Sequence, residues 1–169
     1  MSTETVRHRL SMAVFYDADE LWDTVVELLR NGLGIDQQCC AGCADALIGI
    51  APPRRMSWAL SARLWALVRC VEPYVVSNGP KEICATSGAV LKTLAQACPA
   101  RSGPIVAIPR EKTGKRIASC TPLRQHIDAG AILLVVSAET PDQQVASSHA
   151  LLGSSRYGVH TFEFSEAAR

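Results

Sequence analysis

The chain has 169 residues and a net charge of +1, and 48% of its residues are apolar while 20% are charged. This length allows one buried core but is short for two full domains, and the composition is that of a globular protein, not a disordered one. The near-neutral charge gives no general electrostatic attraction to nucleic acid or to an anionic membrane. We therefore expect a single domain over residues 1–169 and no nucleic-acid partner.

The amino terminus is polar and lacks the basic-then-apolar pattern of a secretory signal. No apolar run reaches the ~18–20 residues that a membrane span requires, and the most apolar middle segment, Met56 to Val71, contains Arg63 and Arg69. We expect a cytoplasmic protein without a membrane span. The seven cysteines are an odd number, which argues against a disulfide framework and favours reduced thiols.

The first organised segment predicts a strand, a helix and a second strand. Leu10 to Tyr16 is apolar and rich in strand formers. Asp17 followed three positions later by Glu20 predicts a capping box, and apolar residues then recur at helical spacing from Ala18 to Arg30. The run from Ile35 to Ala41 predicts a weaker strand, because it contains three polar residues.

The end of the chain repeats this plan. Ala131 to Ser137 predicts a buried strand, and Thr140 followed by Pro141 predicts a capped helix start. Asp142 to Leu152 predicts a helix, and Val159 to Phe164 alternates like a strand with His160 on the same face as two phenylalanines. The apolar side predicted for the helix comprises Val145, His149 and Leu152.

Two β-α-β units whose inner strands pair antiparallel form a ferredoxin-like sheet with helices on one face. We therefore predict an α+β chain of this split, duplicated type, with the first unit at 10–44 and the second, with its leading helix, at 121–169. The intervening residues 45–120 would be a large, mostly helical insertion.

Within this insertion, Arg54 to Glu72 predicts one helix and Pro80 to Ala97 a second. Two short runs between Pro104 and Ser119 favour a hairpin, and Thr121-Pro122 favours a short helix that ends at Ala129-Gly130. The buried stripe predicted for the first of these helices consists of Trp58, Leu64, Trp65, Val68 and Val71.

The segment Met12 to Gly34 (MAVFYDADELWDTVVELLRNGLG) resembles the opening of the small bacterial general-stress and DUF1269-type α/β proteins, and Leu123 to Ser137 (LRQHIDAGAILLVVS) with the helix from Thr140 resembles their second half. The resemblance implies the fold and an accessory, stress-related role. Some members have a glycine-rich membrane hairpin that this chain lacks. The family offers no catalytic residues to transfer to these positions.

Cys39, Cys40 and Cys43 form the most unusual local cluster. The Cys40-x-x-Cys43 spacing is used by redox pairs and by zinc or iron–sulfur sites, because two such thiolates can face one centre. A complete metal site needs further ligands, and the chain has no second pair with this spacing. Three interpretations stay open: structural thiols, a redox pair, or ligands of zinc or iron.

A basic turn follows at 110–116, with Arg110, Lys112, Lys115 and Arg116 as candidate ligands of a phosphorylated small molecule or nucleotide. Backbone N–H groups around Gly114 together with these charges could hold a phosphate, although the turn departs from the P-loop pattern. The alternative is a solvated hairpin tip.

No nucleophile and base are placed together by sequence, so we expect a protein that is not an enzyme. His126, His149 and His160 are interpreted as structural residues, and Asp17 and Asp19 as helix-capping and dipole residues. Trp58 and Trp65 lie seven residues apart on one helical face and are candidates for a partner surface, most simply in a homodimer. The main hypothesis is an accessory binding protein, homo-oligomeric, whose insertion forms a ligand or partner site.

Overall fold

A computed structural model of the protein describes residues 5–50, 55–69, 71–74, 83–86 and 125–167. The prediction of a mixed α+β chain is confirmed. None of the helices in these ranges has the length and apolarity needed to cross a bilayer. The strands are β1 (Thr5–Phe15), β2 (Gln38–Cys43), β3 (Val71–Tyr74), β4 (Ile83–Thr86), β5 (Ile132–Ala138) and β6 (Val159–Ala167), and the helices are α1 (Ala18–Arg30), α2 (Ala44–Ile48), α3 (Trp58–Arg69) and α4 (Pro141–Ser154).

The strands form one sheet in the order β3-β4-β2-β5-β1-β6, and every neighbouring pair is antiparallel. Strand β5 lies between β1 and β2, so that Val136 is paired with Ser11 on one side and with Gln38 on the other. The sheet therefore interleaves strands from the two ends of the described chain.

Helix α1 has the predicted bounds because its ends are fixed by local chemistry. The Asp17 carboxylate accepts hydrogen bonds from the N–H groups of Asp19 and Glu20 at 2.8 and 3.0 Å, which satisfies two of the unpaired donors of the first turn. Gly32 adopts a φ of 82° just past the last turn, a conformation that favours glycine. The capping role predicted for Asp17 is confirmed.

The main core lies between the helices and one face of the sheet, where Trp22 and Leu64 are fully buried. The opposite face of the sheet is also buried at Leu10, Met12, Cys39 and Val135. Strand β5 is buried along its whole length, as its sequence, apolar except for Ser137, predicts. The apolar residues on the sheet face toward the helices include Ala13, Phe15, Cys40, Ile132, Leu134, Val136 and Ala138.

Helix α4 presents a different face to the core from the one its apolar residues predict. Val145 and Leu152 are 60% and 62% exposed, and His149 is exposed as well. Small residues instead form the buried face, including Ser147 and Ala150, because they let the helix approach α1 closely. The apolar side predicted at positions 145, 149 and 152 is therefore exposed and does not pack on the core.

The insertion adds strands as well as helices. The prediction of a helix from Pro80 to Ala97 is wrong over residues Ile83–Thr86. These residues form β4, in which Cys84 is paired with Gly42 of β2. Helix α3 begins and ends inside the range predicted for it, and the following residues form β3 on the outer side of β4. The hairpin predicted between residues 104 and 119 lies outside the described residues.

Candidate functional site

A groove of about 630 Å³ lies between α1 and the start of α3. Its volume is in the range of small-molecule pockets, roughly 300–1,000 Å³. Helix α1 contributes positions 23, 26, 27 and 30, which recur at the spacing of one helix face. We call this feature the α1–α3 groove, and its lining residues are Asp23, Val26, Glu27, Arg30, Arg55, Met56, Ser57 and Leu60.

The floor of the α1–α3 groove is apolar and its rim is charged. Val26 is buried, while Met56 and Leu60 are half-buried and pack against the core. The rim has two carboxylates from α1 and two guanidinium groups, all on exposed residues, namely Asp23, Glu27, Arg30 and Arg55. An amphipathic occupant with both signs of charge matches such a surface.

Helix α3 buries leucines and exposes its tryptophans. Leu64 and Leu67 are 0% and 2% exposed, whereas Trp58 is 86% exposed and Trp65 is 38% exposed. The predicted buried stripe is therefore wrong for both tryptophans, because the leucine face of α3 meets the core instead. Trp58 is in the first turn of α3, beside the Ser57 and Leu60 that line the groove.

A second cluster lies where β1 ends and where β5 and β6 begin. The Tyr16 hydroxyl is 2.8 Å from His126 Nδ1, and the Tyr157 ring is centred 5.2 Å from the Tyr16 ring and 4.9 Å from the His126 ring. Next to it, the Arg156 guanidinium donates two hydrogen bonds, at 2.6 and 3.1 Å, to one Glu20 oxygen. Because these rings pack directly against one another, we interpret the cluster as a contact that ties three segments together.

Sequence reasoning identified His126 but missed Tyr16 and Tyr157 as its neighbours, since they lie in three separate segments. Glu20 was predicted to complete the capping box, and its side chain pairs with Arg156 instead. His160 is paired in register with Met12 of β1. The only sequence signal for the cluster of Tyr16, His126 and Tyr157 was that each residue lies near the end of a predicted strand.

The three cysteines of β2 are buried and do not form disulfides. Successive side chains of a strand point to opposite faces, so Cys40 contributes to the core beside the helices while Cys39 and Cys43 point to the other face. Four residues of strand separate Cys39 from Cys43 by about 13 Å, far more than one zinc ion with Zn–S bonds of about 2.3 Å can bridge. The strand thus does not bring these thiols to one centre.

Burial raises the pKa of the Cys40 thiol, and the neighbouring Cys39 raises it further. A raised pKa disfavours the thiolate that redox and metal chemistry require. In the ranges that the structure describes, no three histidine, cysteine or acidic side chains are grouped to hold a metal ion. Metal binding and redox activity of this cluster stay predictions for solution measurement.

The candidate phosphate ligands Arg110, Lys112, Lys115 and Arg116 lie outside the described residues. Comparison of the chain with family models, with curated proteins and with solved structures gave no match. The site must therefore be interpreted from its own geometry, which favours the α1–α3 groove over the cysteine cluster.

Proposed function

We propose that the protein is a non-enzymatic binding protein whose binding site is the α1–α3 groove together with Trp58. The observation behind this proposal is a groove of about 630 Å³ whose mainly polar lining includes Val26, Met56 and Leu60, next to a tryptophan that is 86% exposed. Tryptophan is enriched among residues that dominate binding energy, and removing its large apolar surface from water is favourable.

The position of the groove in the chain supports this proposal. Half of its lining, from Arg55 to Leu60, belongs to the insertion, which the sequence predicts to form the ligand or partner site. The other half is the exposed side of α1. An accessory, stress-related role is part of the same proposal and rests on the family resemblance of the two ends of the chain.

We further propose that β1, β2, β5 and β6, with α1 and α4, form a ferredoxin-like unit into which residues 45–120 are inserted. The order β2-β5-β1-β6 and the antiparallel pairing support this, since the inner strand of each unit lies between the strands of the other. In this arrangement β3 and β4 extend the sheet at the β2 edge.

Site-specific photo-crosslinking tests the proposed binding site. A benzophenone amino acid replaces Trp58 in one variant and Val145 in a matched control, because Val145 is 60% exposed on α4 and does not line the groove. Irradiation in the host cell should give a discrete adduct from position 58 and none from position 145. If position 58 gives no more adduct than position 145, the proposal is wrong.

A further inference from the structure

The exposed stripe of α1 has charges of both signs. Asp23 lies in its amino-terminal half, whereas Glu27 and Arg30 both lie in its last turn. In the described ranges, none of these three groups has an ion-pair partner, and Arg55 on the other side of the groove has none either. The rim therefore presents balanced, unpaired charges of both signs around an apolar floor.

In a two-fold symmetric contact the same patch meets its own copy in the opposite direction. When the two-fold axis passes α1 between Val26 and Glu27, Asp23 of one copy lies opposite Arg30 of the other copy, and this pairing occurs twice. The two Glu27 carboxylates then lie beside the axis, so the two Asp23–Arg30 pairs act against one like-charge contact. With a rise of about 1.5 Å per residue, each pair lies about 5 Å along the helix from the axis.

Trp58 favours a second copy over a small molecule as the occupant. It stands outside the residues that line the groove, so a ligand confined to the groove would leave its side chain in water. A second copy covers it. Two buried tryptophans remove roughly 400 Å² of surface from water, which is about a quarter of a standard interface of roughly 1,600 Å².

We propose that the protein forms a two-fold symmetric homodimer in which α1 packs antiparallel to α1 of the second copy. Asp23 pairs with Arg30 across the axis, and Trp58 of each copy covers the groove of the other. This proposal rests on the binding role proposed for the α1–α3 groove and names its occupant.

Charge reversal tests the register of this dimer. Sedimentation velocity on the full chain should show a dimer, and Asp23→Arg and Arg30→Asp should each weaken dimerisation at least tenfold by placing like charges opposite each other. The double variant restores the pairing and should recover most of the wild-type affinity. Glu139→Arg, at an exposed position between β5 and α4, is the charge-matched control and should remain dimeric.

Trp58→Ala should also weaken dimerisation at least tenfold, and circular dichroism of each variant checks that it is folded. A wild-type chain that stays monomeric up to about 100 µM, where even a dimer of micromolar Kd would form, overturns the proposal. So does a dimer that neither charge reversal affects. In both cases the crosslinking result from position 58 separates the two proposals. An adduct to another molecule would mean that the groove is a binding site with a different occupant. If there is no adduct, both the binding site and the dimer are wrong.

Discussion

The Tyr16 hydroxyl and His126 Nδ1 are 2.8 Å apart although 110 positions of sequence separate the two residues. This hydrogen bond joins the end of β1 to the helical turn that leads into β5. Tyr157 packs on both rings from the loop that leads into β6. One end of the sheet is thus held together by side chains from three strand junctions.

Replacing Tyr16 by phenylalanine removes this hydrogen bond and keeps the ring contacts. We expect a loss of about 0.5–1.5 kcal/mol in the free energy of unfolding, nearer the lower value because Tyr16 is half-exposed. Tyr157→Phe is the matched control, since none of the hydrogen bonds of the described residues involves the Tyr157 hydroxyl. Urea denaturation measures both, and equal stability of the two variants would contradict this account of the Tyr16 hydroxyl.

The buried Cys40 thiol should make the protein less stable at alkaline pH. Burial and, second, the nearby Cys39 raise its pKa in the folded state, so above the ordinary thiol pKa of about 8.5 the unfolded chain loses a proton that the folded chain keeps. The stability from this group is complete below pH 8.5 and falls by up to about 1.4 kcal/mol for each pH unit above it.

The measurement is chemical denaturation under reducing conditions at pH 7 and at pH 10. Cys40→Ala should be less stable at pH 7 but should lose less stability between the two pH values. Val135→Ala, also at a fully buried position, removes core volume without removing a titratable group and should keep the wild-type pH dependence. An identical loss in Cys40→Ala and wild type would contradict the prediction.

The same burial predicts that Cys39, Cys40 and Cys43 react slowly with an aromatic disulfide reagent in the native protein and quickly in denaturant. Mass spectrometry after labelling assigns the reaction to each position. Metal analysis of anaerobically purified protein completes the test. Rapid labelling of Cys40, or about one equivalent of zinc or iron that Cys40→Ser and Cys43→Ser abolish, would support the redox or metal hypothesis instead.

The orientation of α3 predicts unequal effects from two substitutions. Leu64→Ala removes a fully buried side chain and should cost about 2–5 kcal/mol in stability. Trp58→Ala changes a residue that is 86% exposed, and its effect on the stability of the isolated subunit should be within about 0.5 kcal/mol. Thermal unfolding at low protein concentration, where subunits are dissociated, compares the stabilities of the two variants. A larger loss of stability for Trp58→Ala than for Leu64→Ala would mean that the tryptophan side of α3, not the leucine side, meets the core.

Elements with strong local signals could be predicted from the sequence. Asp17 and the glycine that follows α1 define that helix without help from the rest of the chain, and β5 is apolar except for Ser137. Strand β4 could not be predicted, because Ile83–Thr86 is a strand through pairing with β2, a segment remote in sequence. Tertiary pairing of this kind overrides local propensity.

The candidate site, like the fold, could be predicted from the sequence only in part. The exposed aromatic Trp58 was identified from its spacing with Trp65, but spacing alone does not tell which side of α3 meets the core. Leu64 and Leu67 decide this by packing into the core. The α1–α3 groove depends on the approach of two helices, which no local pattern in either helix specifies.

The central position of β5 also affects synthesis of the chain. Strands β1 and β2 are made first, but each has β5 as a neighbour in the sheet, and β5 leaves the ribosome much later. A nascent chain that stops before residue 132 therefore has an apolar β1 without either of its neighbouring strands. Such unpaired edges favour association with other chains. Strand β1 can therefore pair within its own chain only after β5 has been synthesised.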